Sequence, residues 1–295
     1  IFFPFKRKKG RMGQKIIEDA LKQQLIVSVR ENLYSRYGGK KSIQKRAALV
    51  PWGGESEFSL SDDSIFYSYL KIMNWPQDLT TSFPFNQPCS KGCPVDFAIY
   101  HTLKYRETFK PWLISQNVIE EGRDGWSYTR GLTLEGDPIV WYKMGKHTVV
   151  DNDSYIRVIF HSFERAIAKG LKSSSGENSG KYTVFIDLEG FSTSKFPSFQ
   201  YVKKLFTVMQ DHFPNRLNKV ALLNLSTSAH IFYNLCKPLL QEAVKKKISV
   251  PPQNKDLRLV ELKKLVPIEH IPTWLGGLDE FSFDSDKYYG KATAK

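Results

Sequence analysis

The sequence predicts an α/β fold, a mainly parallel sheet flanked by helices, preceded by a small helical region and a basic N-terminal arm. Three stretches carry the prediction. Lys181-Tyr-Thr-Val-Phe-Ile-Asp-Leu-Glu-Gly-Phe-Ser192 is a run of β-branched and aromatic residues that ends in an acid-Gly turn, the pattern of a buried central strand. Phe199 to His212 then sets Val202, Leu205, Phe206, Val208 and Met209 at the spacing of a helix packed on a sheet. Lys219 to Leu225 is a second apolar run, closed by Ser226-Thr-Ser, so the three stretches form a β-α-β unit with a parallel strand pair.

The remaining elements follow in chain order. Ile1-Phe-Phe-Pro-Phe5 leads into the basic cluster Lys6, Arg7, Lys8, Lys9 and Arg11. Three readings of this arm stand side by side: a solvated tail, a segment attracted to an anionic surface, and a targeting remnant or anchor in a large acidic assembly. The missing initial Met points to a trimmed or partial chain. Ile16, Ile17, Ala20, Leu21, Leu25, Ile26 and Val29 have helical spacing, so part of the arm folds, provided it has something to fold against. Pro51-Trp-Gly-Gly-Glu-Ser56 is a turn-rich break. Ser61-Asp-Asp-Ser64 offers side-chain caps for an apolar helix running from Ile65 to Trp75.

Residues 76–96 are proline-rich and read as an irregular excursion. The pair Cys89 and Cys93 within it lacks two further ligands, so a loop is expected there and no metal site. Asp96 is placed to cap a helix that runs to about Phe109 and stops before Pro111. Ser154 to Leu171 is a helix with a broad apolar face, followed by the loop Lys172 to Gly180. Gly176 to Lys181 imitates a phosphate-binding loop, but it is one residue short, has Tyr182 where Ser or Thr is required, and precedes a strand when it ought to follow one. The last long helix is expected from Ala229 to about Lys247, apolar in its first half, with Pro238 inside it as a hinge.

Composition bounds the function. An apolar content of 41% over 295 residues is ample for a globular core, and no run approaches the ~20 apolar residues of a membrane-spanning helix. Through residue 50 there are thirteen Lys and Arg against three acidic residues, so most of the net charge of +13 belongs to the arm. That placement argues against sequence-specific nucleic-acid binding by the fold itself. Three cysteines do not make a disulfide framework and fit a reducing compartment. The six histidines are scattered, and no nucleophile elbow or carboxylate pair appears, so no catalytic residue is nominated and an enzyme is not expected.

Asp187-Leu-Glu-Gly, His212-Phe-Pro-Asn-Arg-Leu, the strand end at Asn224, Leu235-Cys-Lys-Pro-Leu-Leu240 and Ile271-Pro-Thr-Trp-Leu-Gly-Gly277 follow one another over about a hundred residues. In order and spacing they resemble the Sec14-like, or CRAL-TRIO, lipid-binding domain. Tyr105-Arg-Glu-Thr-Phe-Lys-Pro111 looks like the end of that family's helical lead-in, and Glu135-Gly-Asp-Pro-Ile-Val-Trp-Tyr142 like its first sheet strand. The resemblance covers roughly Ser59 to Phe281 and implies a helical N-terminal region at 59–112 and the lipid-binding domain at 125–281; the basic, partly helical arm at 1–52 and a C-terminal tail at 282–295 lie outside it.

It also implies a movable gate over a hydrophobic cavity floored by the sheet. On that reading Tyr182, Val184 and Ile186 face the cavity from the central strand, and Phe232, Tyr233, Leu235, Cys236 and Leu239 face it from the gate. Lys237 matches a family lysine that meets the head-group phosphate. Two positions depart from the family. Lys204 stands where members that bind phosphatidylinositol have a glutamate, and Lys71 is the single basic residue in a helix that is rich in arginine in the family, so inositol selectivity does not carry over.

The function expected is non-enzymatic binding and transfer of a hydrophobic lipid, with a phospholipid among the candidates and no cofactor beyond bound lipid. Partners would be that lipid, an anionic membrane surface reached through the arm, or a larger protein assembly. The alternative is a vestigial domain kept as a structural subunit. An intracellular peripheral location is expected, cytoplasmic or organelle-associated, and a processed N-terminus would fit the mitochondrion.

Overall fold

The computed structural model describes residues 11–50, 60, 63–73, 75, 93–173, 179–195 and 198–290, with side chains from residue 18 onward. Residues 76–92 of the proline-rich excursion and the basic cluster at 6–9 lie outside the described residues, as does the side chain of Arg11. Cys93 is disulfide-bonded.

A helical layer comes first: α1 (Arg11–Arg36), α2 (Lys40–Ala48), α3 (Ser64–Ile72) and α4 (Val95–Phe109). Ile26, Val29 and Leu33 recur at helical spacing on α1, and all are fully buried where α1 packs on α3 and α4. Ile43 and Ala47 of α2, with Val50 after it, complete that core. Three ion pairs cross it: Arg30 to Asp63, Arg36 to Asp96 at 3.1 Å and Arg46 to Glu107 at 2.8 Å. The partner that the helical part of the arm needs is therefore the α3–α4 pair. Asp63 does sit at the start of α3 but makes no side-chain cap, because its carboxylate is held by Arg30. Asp96 likewise lies inside the first turn of α4, buried against Arg36.

The sheet follows. After α5 (Gln116–Gly122), its strands are β1 (Ser127–Leu132), β2 (Pro138–Lys143), β3 (Tyr182–Asp187), β4 (Leu217–Leu223) and β5 (Ile248–Ser249), in that spatial order. β1 pairs antiparallel with β2; the other three pairings are parallel. Parallel neighbours need crossovers, which are supplied by α6 (Asn152–Ser173), α7 (Phe199–His212) and a segment containing α8 (Thr227–Cys236) and α9 (Glu242–Lys245). On the sheet's other face Trp141 stacks on Phe185 at 4.7 Å, with Trp274 edge-on to Trp141.

Two expectations require correction here. The helix expected through Lys247 ends at Cys236. Pro238 has no N–H to continue the ladder, so the chain turns through a 3-10 segment at Lys237–Leu239, extends at Leu240 and re-forms only the short α9. Lys247 then leads into a fifth strand at Ile248, which the charge of Lys245–Lys247 concealed. The C-terminal stretch also packs: α11 (Ser285–Tyr289) buries Tyr288 and Tyr289, and the Tyr288 hydroxyl accepts from the Thr129 amide at 3.0 Å.

The helical layer and the sheet layer are locked together. Arg106 of α4 makes a bidentate pair with Glu164 of α6 at 2.6 and 2.9 Å, and both side chains are buried. Tyr105 stacks on His212 of α7 at 3.9 Å, and Thr102 shares a 2.9 Å hydrogen bond with His212 Nδ1.

Candidate functional site

Alternation along β3 sends Tyr182, Val184 and Ile186 to one face, continued by Leu188. Above that face lies a cavity of about 260 Å³. Val220 and Leu222 of β4 and Ile248 of β5 extend its floor, Tyr155, Ile156, Ile159 and Phe163 of α6 form one wall, and Val202, Leu205, Phe206 and Met209 of α7 form another. α8 closes the top through Ala229, Phe232, Tyr233 and Cys236, with the Phe191 and Phe232 rings 5.3 Å apart at the rim. The apolar face of α7 points inward, yet Leu205, Phe206 and Met209 are only partly buried, because they border open space instead of packed side chains.

Of the residues predicted to line a pocket, Tyr182, Val184, Ile186, Phe232, Tyr233 and Cys236 do line it. Leu235 does not: it lies on the outer side of α8 and is 55% exposed. Leu239 sits in the 3-10 turn, half-buried and away from the lining, while its carbonyl accepts from Gln210 Nε2 at 2.9 Å; Leu240 takes the inward position. Lys237 is exposed at the end of α8 and outside the lining, since the break at Pro238 turns it away from the cavity. Lys204 is exposed too, 3.4 Å from Asp153.

The lining is hydrocarbon and aromatic, with a few neutral polar tips and one charged side chain, Lys247. Burial pushes the hydroxyls of Tyr142, Tyr155 and Tyr182 well above the usual phenol range and the Cys236 thiol up to about 11, so all of these stay protonated at neutral pH. Such a site offers a dry apolar volume and neutral donors. The α7 wall was legible in advance as an apolar stripe, though read as sheet-packing; the α6 wall likewise showed only as a broad apolar face.

Beyond the cavity, Asp187 Oδ1 accepts from the Glu189 amide at 3.1 Å and from Asn224 Nδ2 at 2.7 Å, which ties the ends of β3 and β4 together. Arg258 of α10 (Lys255–Lys263) in turn donates to Asn224. The acid-Gly turn is thus a structural clasp. No described helix is long and apolar enough to cross a membrane, and no group of metal-ligating side chains occurs among the described residues.

Comparison with known proteins agrees with this geometry. The CRAL/TRIO domain family model matches residues 122–277. The phosphatidylinositol transfer protein CSR1 of Eremothecium gossypii is 26% identical over 169 residues, covering 57% of this chain and 37% of that protein. The Sec14 cytosolic factor of Schizosaccharomyces pombe is 23% identical over 154 residues, covering 49% of this chain and 53% of its own. The chain thus spans between about a third and a half of the length of these relatives. The crystal structure of Sfh5 superposes on 53% of this chain and 59% of its own, at 18% identity and a TM-score of 0.45. With more than half of its residues matched by the family model and the mixed five-stranded sheet in place, the chain belongs to the CRAL/TRIO family, as a Sec14-like protein.

Proposed function

We propose that this protein binds a hydrophobic lipid in the cavity between sheet and α8 and transfers it between membranes without chemical change. The observation that carries the reading is the apolar cavity itself, walled by α6 and α7 and covered by a short helix that ends two residues before a proline. An acyl chain leaving a bilayer exposes methylenes at about 0.8 kcal/mol each, and a cavity of this lining replaces the lost surface. α8 is the gate. Its inner side faces the cavity, while Ile231 and Leu235 on its outer side are 67% and 55% exposed, placed to meet a bilayer when the gate opens. The relatives named as phosphatidylinositol transfer proteins support lipid as the cargo class. The basic residues Lys6, Arg7, Lys8, Lys9 and Arg11 would raise residence at anionic membranes by about 1 kcal/mol each near the surface.

The test is organic extraction of natively purified protein followed by mass spectrometry, beside transfer from labelled donor vesicles to unlabelled acceptors. Stoichiometric co-purified lipid and accelerated transfer are expected. Protein that carries no lipid and takes none from vesicles would overturn the reading in favour of a vestigial domain.

A further inference from the structure

Among the described residues Lys247 is the single charged side chain lining the cavity, and no carboxylate of theirs pairs with it. It sits at the end of the cavity where β4 begins, half-buried, with its ammonium donating one hydrogen bond, to the Leu217 carbonyl. An ammonium has three N–H donors, so two of its N–H groups have no acceptor among the described residues. The charged groups that act on it are both cations: burial lowers its pKa first, then Lys181 and Lys71. Lys181 is itself offset by Glu135 and Asp137, which lie within its field. A partly desolvated cation without a counter-charge is costly in an apolar site unless something anionic completes it.

The cavity's size narrows what that is. Ligand pockets commonly run from about 300 to 1,000 Å³, and this one, at about 260 Å³, lies just below that range, which favours a single chain over two. From Lys247 the apolar floor continues through Val220 and Val184 towards Leu188 and Phe191 at the far end.

We infer that the cavity takes a single-chain lipid with a small anionic head, a carboxylate or a phosphate monoester, whose head meets the Lys247 ammonium while its chain lies along β3 and β4. This rests on the lipid-binding reading, and it places the head-group contact at Lys247 and not at Lys237.

The experiment compares binding of oleate, oleoyl lysophosphatidate and oleyl alcohol to the full chain by native mass spectrometry, in the wild type and in Lys247→Met, Lys247→Arg and Lys237→Met. The expected result is a preference of about tenfold or more for the two anions over the alcohol. Lys247→Met should retain the alcohol and lose the preference, Lys247→Arg should restore it, and Lys237→Met should keep it. The ratio of the two anions separates carboxylate from phosphate. Equal binding of alcohol and anions by the wild type, or a preference that survives Lys247→Met, overturns the inference and leaves lipid binding standing. Failure of all three lipids to bind a wild type that still takes lipid from vesicles overturns the inference alone; failure in both assays sinks the lipid-binding reading as well.

Discussion

At the scale of single residues, a buried ion pair and a buried histidine decide how the fold responds to change. The Arg106–Glu164 pair is sealed between the helical layer and α6 with side chains 1% and 0% exposed, so removing one partner strands the other charge. Arg106→Met should cost about 3–5 kcal/mol in urea unfolding. The exposed Lys204–Asp153 pair is the contrast: Lys204→Met should cost less than about 1 kcal/mol. His161 makes the second prediction. Neither ring nitrogen has a hydrogen-bond partner, the rings of Tyr288 and Tyr289 stand against it, and burial, with Arg165 adding to it, depresses its pKa from 6.5 to about 3. Between those values the unfolded chain holds a proton that the folded chain does not, so stability is full above about pH 6.5 and falls as the pH drops towards 3. The loss is about 1.4 kcal/mol per pH unit. His161→Phe should remove that part of the slope. Between pH 7 and pH 5 the wild type should then lose about 2 kcal/mol more than the variant in urea titrations, and parallel losses would show that His161 is protonated in the fold.

Among the elements, legibility followed local pattern. β3, α7 and β4 were readable because each carries its own period, two for a strand and 3.6 for a helix; alternation set Tyr182, Val184 and Ile186 on one face, and the family resemblance placed that face toward the cavity. β5 is only Ile248–Ser249, too short to show a period, and it is held by pairing to β4. The inward position of Leu240 and the outward one of Lys237 depend on how the chain leaves Pro238, which no periodicity encodes. Lys247 escaped notice as one of three consecutive lysines; only the fold separates it from Lys245, paired with Glu242 at 2.6 Å, and from the exposed Lys246. The break at Pro238 also makes a kinetic prediction. Pro238→Ala restores an N–H where α8 now stops, letting the helix run on and stiffening the gate. Transfer between vesicles should slow several-fold while the amount of lipid extracted at equilibrium stays the same. Unchanged transfer would mean that exchange does not depend on this break.

For the whole molecule, the N-terminal fifty residues divide at a point that composition alone does not mark. Their charge excess reads as one basic arm, but α1 and α2 bury Ile26, Val29, Leu33, Ile43 and Val50 against α3 and α4, and Arg30, Arg36 and Arg46 are committed to ion pairs within that layer. Deleting residues 1–50 would therefore strip a core face, exposing α3 and α4, and cannot serve as a clean test of the arm. Deleting residues 1–10 leaves those buried side chains and pairs in place while removing Lys6, Arg7, Lys8 and Lys9. The shorter deletion should leave the urea midpoint and the bound lipid unchanged. It should weaken sedimentation with phosphatidylserine-containing vesicles by about tenfold or more at low salt, with the difference shrinking as added salt shortens the Debye length. The longer deletion should lower the unfolding midpoint sharply and empty the cavity as a consequence, because α4 holds α6 and α7 through Arg106, Thr102 and Tyr105. If removing 1–10 leaves vesicle binding untouched, the membrane contact belongs to the exposed side of α8, where Ile231 and Leu235 already face outward.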